Sequence, residues 1–331
     1  MKLIEVVTST QNLKPVISIA EQHDSEVNWI GSSEEQGKNL IRILVNNDKR
    51  QLVLDALQGF LGSDESSKIL VLSLEAVLPR QENEASEVKN EEAVTTTREE
   101  LYNDIVKNAR LDSTYLLLVF LSTVVVAIGL LEDNVAVVIG AMVIAPLLGP
   151  NIALALGAAV GDISLMWKAV KTTMAGITLA LSLSMILGFF YPLNLDSHEL
   201  LARTDVGLDS VTLALASGAA AVISLTTGLA SVLVGVMVAV ALLPPTATLG
   251  LMIGAGQTQL AVGAALLLAV NIVSVNLAAK IVFWLRGVKP RSWLEKQKAN
   301  QSMVIYLIIW ILSLTLLIGV IFIRQGILKI A

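Results

Sequence analysis

Two proline pairs carry the clearest chemical signal in this sequence, because each interrupts an apolar segment that otherwise suits a membrane helix. The pairs are Pro146 with Pro150 and Pro244 with Pro245. Proline donates no backbone hydrogen bond, so we expect each pair to break or kink its helix and to free carbonyl oxygens. At membrane depth such oxygens are tolerated only where protein, water or a bound solute satisfies them.

Amides and hydroxyls lie beside these prolines and in a later apolar segment. They are Asn151, Thr246, Thr248, Asn271, Ser274 and Asn276. Together with the four prolines they form our candidate substrate pathway. In the alternative interpretation the prolines only kink helices and the polar side chains join neighbouring helices. The sequence favours neither.

Other site chemistries have little support. The chain contains no cysteine, which excludes disulfides and thiolate metal sites. His23 and His198 are far apart in sequence, and Walker, Rossmann and metalloprotease motifs are absent. We therefore expect no enzyme, no metal and no cofactor, and the net charge of -5 gives no indication of nucleic-acid binding.

Two ionisable residues, Asp162 and Lys280, fall near the ends of apolar segments. We expect them to reach the membrane surface rather than to form a proton relay. Without a strong intramembrane carboxylate, a standard proton-coupled carrier is disfavoured. A channel, a pathway for a neutral solute, or no transport remains.

Composition places the chain among membrane proteins. It is 54% hydrophobic with 15% charged residues, and its mean hydropathy is +0.72. Residues 210–279 contain no Asp, Glu, Lys or Arg. We predict seven spans at 114–131, 135–160, 172–193, 211–227, 230–255, 260–285 and 303–323.

The basic residues between these spans predict the orientation. On one side lie Arg98, Lys107, Arg110, Lys168, Lys171, Arg286, Lys289, Arg291, Lys296 and Lys298. On the other lie Arg203, Arg324 and Lys329. The positive-inside rule then predicts a cytoplasmic amino terminus and an external carboxyl terminus.

An internal repeat organises the membrane part. Val135–Asp162 aligns without gaps onto Ala230–Gln257 at an offset of 95 residues, with ten of 28 positions identical. Leu111-Asp112-Ser113 before the first span recurs as Leu208-Asp209-Ser210 before the fourth, so the repeated unit holds three helices. An odd number of spans turns the second copy upside down, a plan common among secondary transporters.

The residues before the spans predict a small α+β domain, 1–78. Strands at 2–8, 27–30, 38–46 and 68–78 alternate with helices at 12–22 and 49–61, in the order βαββαβ of a ferredoxin-like unit. Its first loop, 9–12, has no glycine to cradle a ligand, so assembly is favoured over ligand sensing. An acidic linker, 79–96, and an amphipathic helix, 97–110, follow.

Several motifs resemble one known family. They are REELY at 98–102, Ser122-Thr123, Gly129-Leu130 and above all VIGAMVIAPLLGP at 138–150. The later VAVALLPP at 238–245 and Asn271 are similar too. The chain is identified from these as a member of the prokaryotic membrane proteins called domain of unknown function 389. The resemblance covers roughly 99–287 and implies the architecture, without a substrate or catalytic residues.

The predicted fold class is thus an α-helical polytopic membrane protein, with an inverted repeat of two three-helix units (111–193 and 208–285), one extra helix and an N-terminal ferredoxin-like domain. We expect a transporter or channel for a small ion or solute in the cytoplasmic membrane of a prokaryote. The alternative is a membrane-anchored sensor or scaffold without transport. Expected partners are membrane lipid and further copies of the chain, because small residues on the spans favour self-association.

Overall fold

The computed structural model describes residues 2–33, 38–46, 49–62, 64, 66–74, 98–191, 197–227, 231–288 and 293–330. The chain divides into two compact units, Met1–Arg98 and Glu99–Ala331. The predicted linker, 79–96, and the first residue of the predicted helix at 97–110 lie outside the described residues.

The first unit is a small antiparallel sheet with two helices. Its elements are β1 (Lys2–Ser9), α1 (Leu13–Gln22), β2 (Glu26–Ser33), β3 (Lys38–Val45), α2 (Arg50–Leu61) and β4 (Lys68–Ser73). The strand order is β2-β3-β1-β4, and all neighbouring strands are antiparallel. β2 is longer than predicted, and β4 ends at Ser73, with 75–78 outside the described residues.

Alternating side chains give the sheet one buried face. Ile4 and Val6 of β1 lie with Ile41 and Ile43 of β3 in a core that α1 and α2 cover. The opposite face stays open, with Leu70 and Leu72 exposed.

A second feature of the open face is a charged pair. Arg42 donates to Glu5 at 2.7 Å and lies over the exposed Trp29 ring, 5.2 Å from its centroid.

A carboxylate in the loop before β4 forms a hydrogen bond with the residue that precedes α1. Asp64 accepts from Ser66 and Ser67, each at 2.7 Å, and from Asn12 at 3.1 Å. These hydrogen bonds, chiefly those from Ser66 and Ser67, hold the pKa of Asp64 below its usual value.

The second unit is helical throughout. Its elements are α3 (Arg98–Asn108), α4 (Ser113–Leu131), α5 (Val135–Ile144), α6 (Leu148–Val160), α7 (Ile163–Phe190), α8 (His198–Leu201), α9 (Leu208–Thr227), α10 (Ser231–Gly254), α11 (Thr258–Leu285) and α12 (Trp293–Ile330). Side-chain caps explain three of the starts, because Asp112, Asn134 and Asp162 accept backbone N–H groups of the first turns of α4, α5 and α7.

Within the described residues, five helices are long and apolar enough to cross a membrane, as expected of a multi-pass membrane protein. They are α4, α7, α9, α11 and the part of α12 from Tyr306 to Gln325. α5 and α6 make a sixth span if the bent pair counts as one. α10 contributes a shorter apolar stretch, Ala241–Gly254, and the seven-span count stays a prediction.

The helix boundaries repeat with the sequence offset. α7 begins at 163 and ends at 190, and α11 begins and ends 95 residues later in each case. α4 and α9 also begin 95 residues apart. Gly161 and Gly256, at the same offset, both adopt positive φ after the preceding helix, at 76° and 73°.

Glycines allow α7 and α10 to pack closely. A Cβ at Gly188 would lie 2.3 Å from the carbonyl oxygen of Leu251, and one at Gly254 would lie 2.2 Å from that of Met185. These approaches place the backbones in direct contact.

α3 packs along α6. Leu101, Ile105 and Ala109 share one face and are buried in the core that contains Ile152 and Leu156. At the far end of α3, a Cβ at Gly149 would lie 2.1 Å from the carbonyl oxygen of Asn108. The start of α6 is therefore in contact with the end of α3.

Candidate functional site

The second proline pair lies inside a continuous helix, so the helix is not broken there, and the alternative of a kink stays a prediction. α10 continues through Pro244 and Pro245. Pro245 has no N–H for the carbonyl oxygen of Ala241, four residues earlier. Nδ2 of Asn271 in α11 donates to that oxygen at 2.7 Å. Asn271 thus supplies the missing donor, which is a structural role.

The first pair does mark a break. α5 ends at Ile144, α6 begins at Leu148, and the two helices are bent by 53°. Pro146 lies in the gap, beside an extended Ala145. Pro150 lies in the first turn of α6, where a backbone N–H would have no partner within the helix.

Two predicted amides meet between the repeats. Nδ2 of Asn276 in α11 donates to Oδ1 of Asn151 in α6 and to the carbonyl oxygen of Ile272 at 3.0 Å. The two asparagines are 0% and 2% exposed. Nδ2 of Asn151 and Oδ1 of Asn276 have no hydrogen-bond partner in the part of the chain that the structure describes. The contact of α6 with α11 therefore offers one free donor and one free acceptor.

The three hydroxyls of the prediction differ from one another. Thr246 donates to the carbonyl oxygen of Leu242 at 2.7 Å, so its hydroxyl is satisfied within α10. Thr248 and Ser274 are fully buried, and their hydroxyls have no partner among the described residues. They are further polar groups able to bind water or a solute.

Lys280 is buried, which overturns its expected surface position. Its side chain is 1% exposed and follows Asn276 by one helical turn. Nζ lies 4.6 Å from the ring centroid of Trp310 and 5.5 Å from that of Tyr306, both on α12. No described residue forms a hydrogen bond or ion pair with Nζ. The spacing of four from Asn276 was the available signal, since such residues share a helix face.

Asp162 joins two segments of the second unit. It accepts from the backbone N–H of Leu165 at 2.9 Å and from the hydroxyl of Tyr102 in α3 at 2.7 Å. The hydrogen bond to Asp162 raises the pKa of Tyr102 to about 12.

The loop after α4 has its own carboxylate contact. Asp133 accepts from the backbone N–H of Glu199 at 2.7 Å, and this bond lowers the pKa of Asp133.

A groove of about 570 Å³ lies between α11 and α12. Its lining is mostly apolar, and its polar residues are Gln259 and Arg324. Arg324 already donates to the carbonyl oxygens of Thr204 and Gln259, at 3.2 and 3.4 Å. Over the described residues, no three His, Cys, Asp or Glu side chains gather as a metal site would require.

Comparison with known proteins gives two matches. A family model described as domain of unknown function 389 matches residues 142–277, which contain all ten candidate pathway residues. An uncharacterized protein of Methanocaldococcus jannaschii, MJ0678, is 34% identical over 283 residues, or 86% of this chain and 87% of that protein. No solved structure matches the chain.

Proposed function

The chain belongs to the family called domain of unknown function 389, and from this premise we propose that it is a transporter or channel for a small ion or solute. Its pathway passes the contact of α6 with α11, between the two three-helix repeats. It acts in the cytoplasmic membrane of a prokaryote, with its amino terminus inside and its carboxyl terminus outside, and it is not an enzyme.

The buried pair of Asn151 and Asn276 carries the proposal. Each side chain keeps one polar atom without a partner among the described residues. An unsatisfied buried polar group costs about 1–3 kcal/mol, and lipid offers no hydrogen bonds in exchange. Water or a passing solute satisfies both atoms.

The repeated helix boundaries support the same plan. Copies of three spans each are inserted with opposite orientation, and their contact lies near the middle of the membrane. Asn151 belongs to the first copy and Asn276 to the second, so the pair lies where the copies meet.

Flux into sealed proteoliposomes tests this function. The purified full-length protein is screened with common ions and small neutral solutes, beside an Asn151→Ala, Asn276→Ala double variant. Thr212→Ala is the matched control, because Thr212 is exposed and bonds only its own helix. We expect saturable or conductive flux in the parent and the control and its loss in a folded double variant. No flux across the panel for the parent would contradict the proposal.

One observation favours a second function, an oligomeric scaffold or sensor without transport. The open sheet face of the first unit exposes Leu70, Leu72 and Trp29, as an assembly surface of a ferredoxin-like domain would. Mass measurement of the full chain in lipid discs tests it, with Leu70→Glu and Leu72→Glu as variants. A symmetric oligomer that these variants dissociate supports assembly, whereas a monomeric parent protein excludes it.

A further inference from the structure

Building on the proposed pathway, we propose that its substrate is a small inorganic anion, which binds at Lys280 and the free amide donor of Asn151. The observation behind this assignment is a buried lysine whose Nζ has no hydrogen-bond partner among the described residues.

Lys280 is enclosed by the helices around α11. It is 1% exposed on α11, a helix in contact with α6, α9, α10 and α12. A buried charge is strongly unfavourable unless it is paired. The rings of Trp310 and Tyr306 face Nζ at 4.6 and 5.5 Å, and cation–π contact recovers only a part of the lost hydration.

Carboxylates are absent from α6 and from most of the second repeat. Neither α6 nor residues 210–279 contain an Asp or Glu. No described residue accepts a hydrogen bond from Nζ. An anion from solution would supply the charged partner that Nζ lacks among the described residues.

The neighbouring polar atoms suit an anion. Nδ2 of Asn151 is a donor without a partner among the described residues. Asn151 also lies in the first turn of α6, where the helix dipole places partial positive charge. Asn276 bonds Asn151 and precedes Lys280 by one turn. A cation at this contact would meet like charge, and a neutral solute would leave Lys280 unpaired.

Zero-current potentials of the full-length protein in planar bilayers test the assignment, with potassium chloride and potassium nitrate gradients as probes. The variants are Lys280→Met and Lys280→Arg, and the control is Lys171→Met, which removes an exposed lysine from α7. We expect the parent potential near the equilibrium potential of the anion. Lys280→Met should lower chloride flux roughly tenfold or more, while Lys280→Arg and Lys171→Met retain it.

A binding measurement separates this inference from the transport proposal. Chloride, in exchange for gluconate, should raise the Tm of the detergent-purified parent protein and not that of Lys280→Met. A Tm that rises with chloride in the absence of any flux would support the anion site and contradict the transport function. Flux with a cation potential overturns the anion assignment and leaves the pathway, and anion flux unchanged in Lys280→Met overturns Lys280 as the binding residue. The sign of the parent potential decides even if Lys280→Met does not fold, and absence of both signals overturns both proposals.

Discussion

The amide of Asn271 bonds the carbonyl oxygen of Ala241 at 2.7 Å, across the contact of α10 with α11. In a regular helix that oxygen accepts the N–H of residue 245, and residue 245 is proline. The donor comes from a side chain 30 residues further along the chain. This bond compensates for the N–H that Pro245 lacks in α10.

Removing that donor should destabilise the protein. We expect Asn271→Ala to cost about 1–3 kcal/mol, because it leaves the Ala241 carbonyl buried without a partner. In a Pro245→Ala background the backbone N–H returns, so Asn271→Ala should cost much less there. Thermal unfolding of the four proteins of this double-mutant cycle measures the coupling. Equal costs in both backgrounds would show that Asn271 acts in another way.

The close contact of α7 with α10 leaves no room for a side chain at Gly188. Gly188→Ala would place a Cβ 2.3 Å from the oxygen of Leu251, so we expect a loss of about 1–3 kcal/mol. Gly140→Ala is the matched control in α5, since nothing lies within 4 Å of its added Cβ. Alanine has a higher helix propensity than glycine, so Gly140→Ala should leave the free energy of unfolding unchanged or raise it by up to about 1 kcal/mol. Denaturation in detergent compares them, and equal stabilities would contradict the packing.

The Tyr102–Asp162 contact predicts an alkaline transition. The pKa of Tyr102 is raised from 10.0 to about 12, so its contribution to stability is full below pH 10 and is lost as the pH rises towards 12. Tyr102→Phe should cost about 0.5–1.5 kcal/mol at neutral pH. The Tm of the parent protein should approach that of Tyr102→Phe as the pH rises through this range. A constant difference would argue against this hydrogen bond.

The Asp64 network predicts an acid transition in the first unit. Because the pKa of Asp64 is lowered from 3.8, its contribution is present above that pH and is lost as the pH falls through the lower, folded-state value. Asp64→Asn should lower the free energy of unfolding at neutral pH. The free energy of unfolding of this variant should also change less than that of the parent as the pH falls. Circular dichroism of the full chain follows the change, with Asp55→Asn on α2 as the control. Identical acid profiles for the parent and Asp64→Asn would contradict the prediction.

The absence of cysteine makes the orientation directly testable. Single cysteines at Asp24 and Asp205, both exposed, should differ in their reaction with a membrane-impermeant maleimide on intact cells. Residue 205 should react from outside, and residue 24 only after permeabilisation, because the excess of Lys and Arg predicts an internal amino terminus. The reverse pattern would invert the topology.

Hydropathy predicted the apolar segments well and the helix ends less well. The third span was predicted from 172, but α7 already begins at Ile163, where Asp162 caps it. Lys168 and Lys171 end the apolar pattern without ending the helix, because lysine is a good helix former. Hydropathy locates the apolar part of a helix and not its full length.

Long-range partners are what the sequence could not provide. Asn151 and Asn276 were both candidates, but nothing local says that they meet across 125 residues. Lys280 lies against two rings of α12, which its position in the sequence does not reveal. Its place near the end of a predicted span suggested a surface position instead. Such contacts arise from packing between helices, which residue spacing along one helix does not encode.

The asparagine pair also has a consequence for synthesis of the protein. Asn151 leaves the ribosome 125 residues before its partner, so the first repeat enters the membrane with this amide unmatched. The amide finds its partner only after α11 is made. Truncated chains that end after the first repeat should therefore be unstable in the membrane and be degraded rapidly. Chains completed through Asn276 should be degraded more slowly.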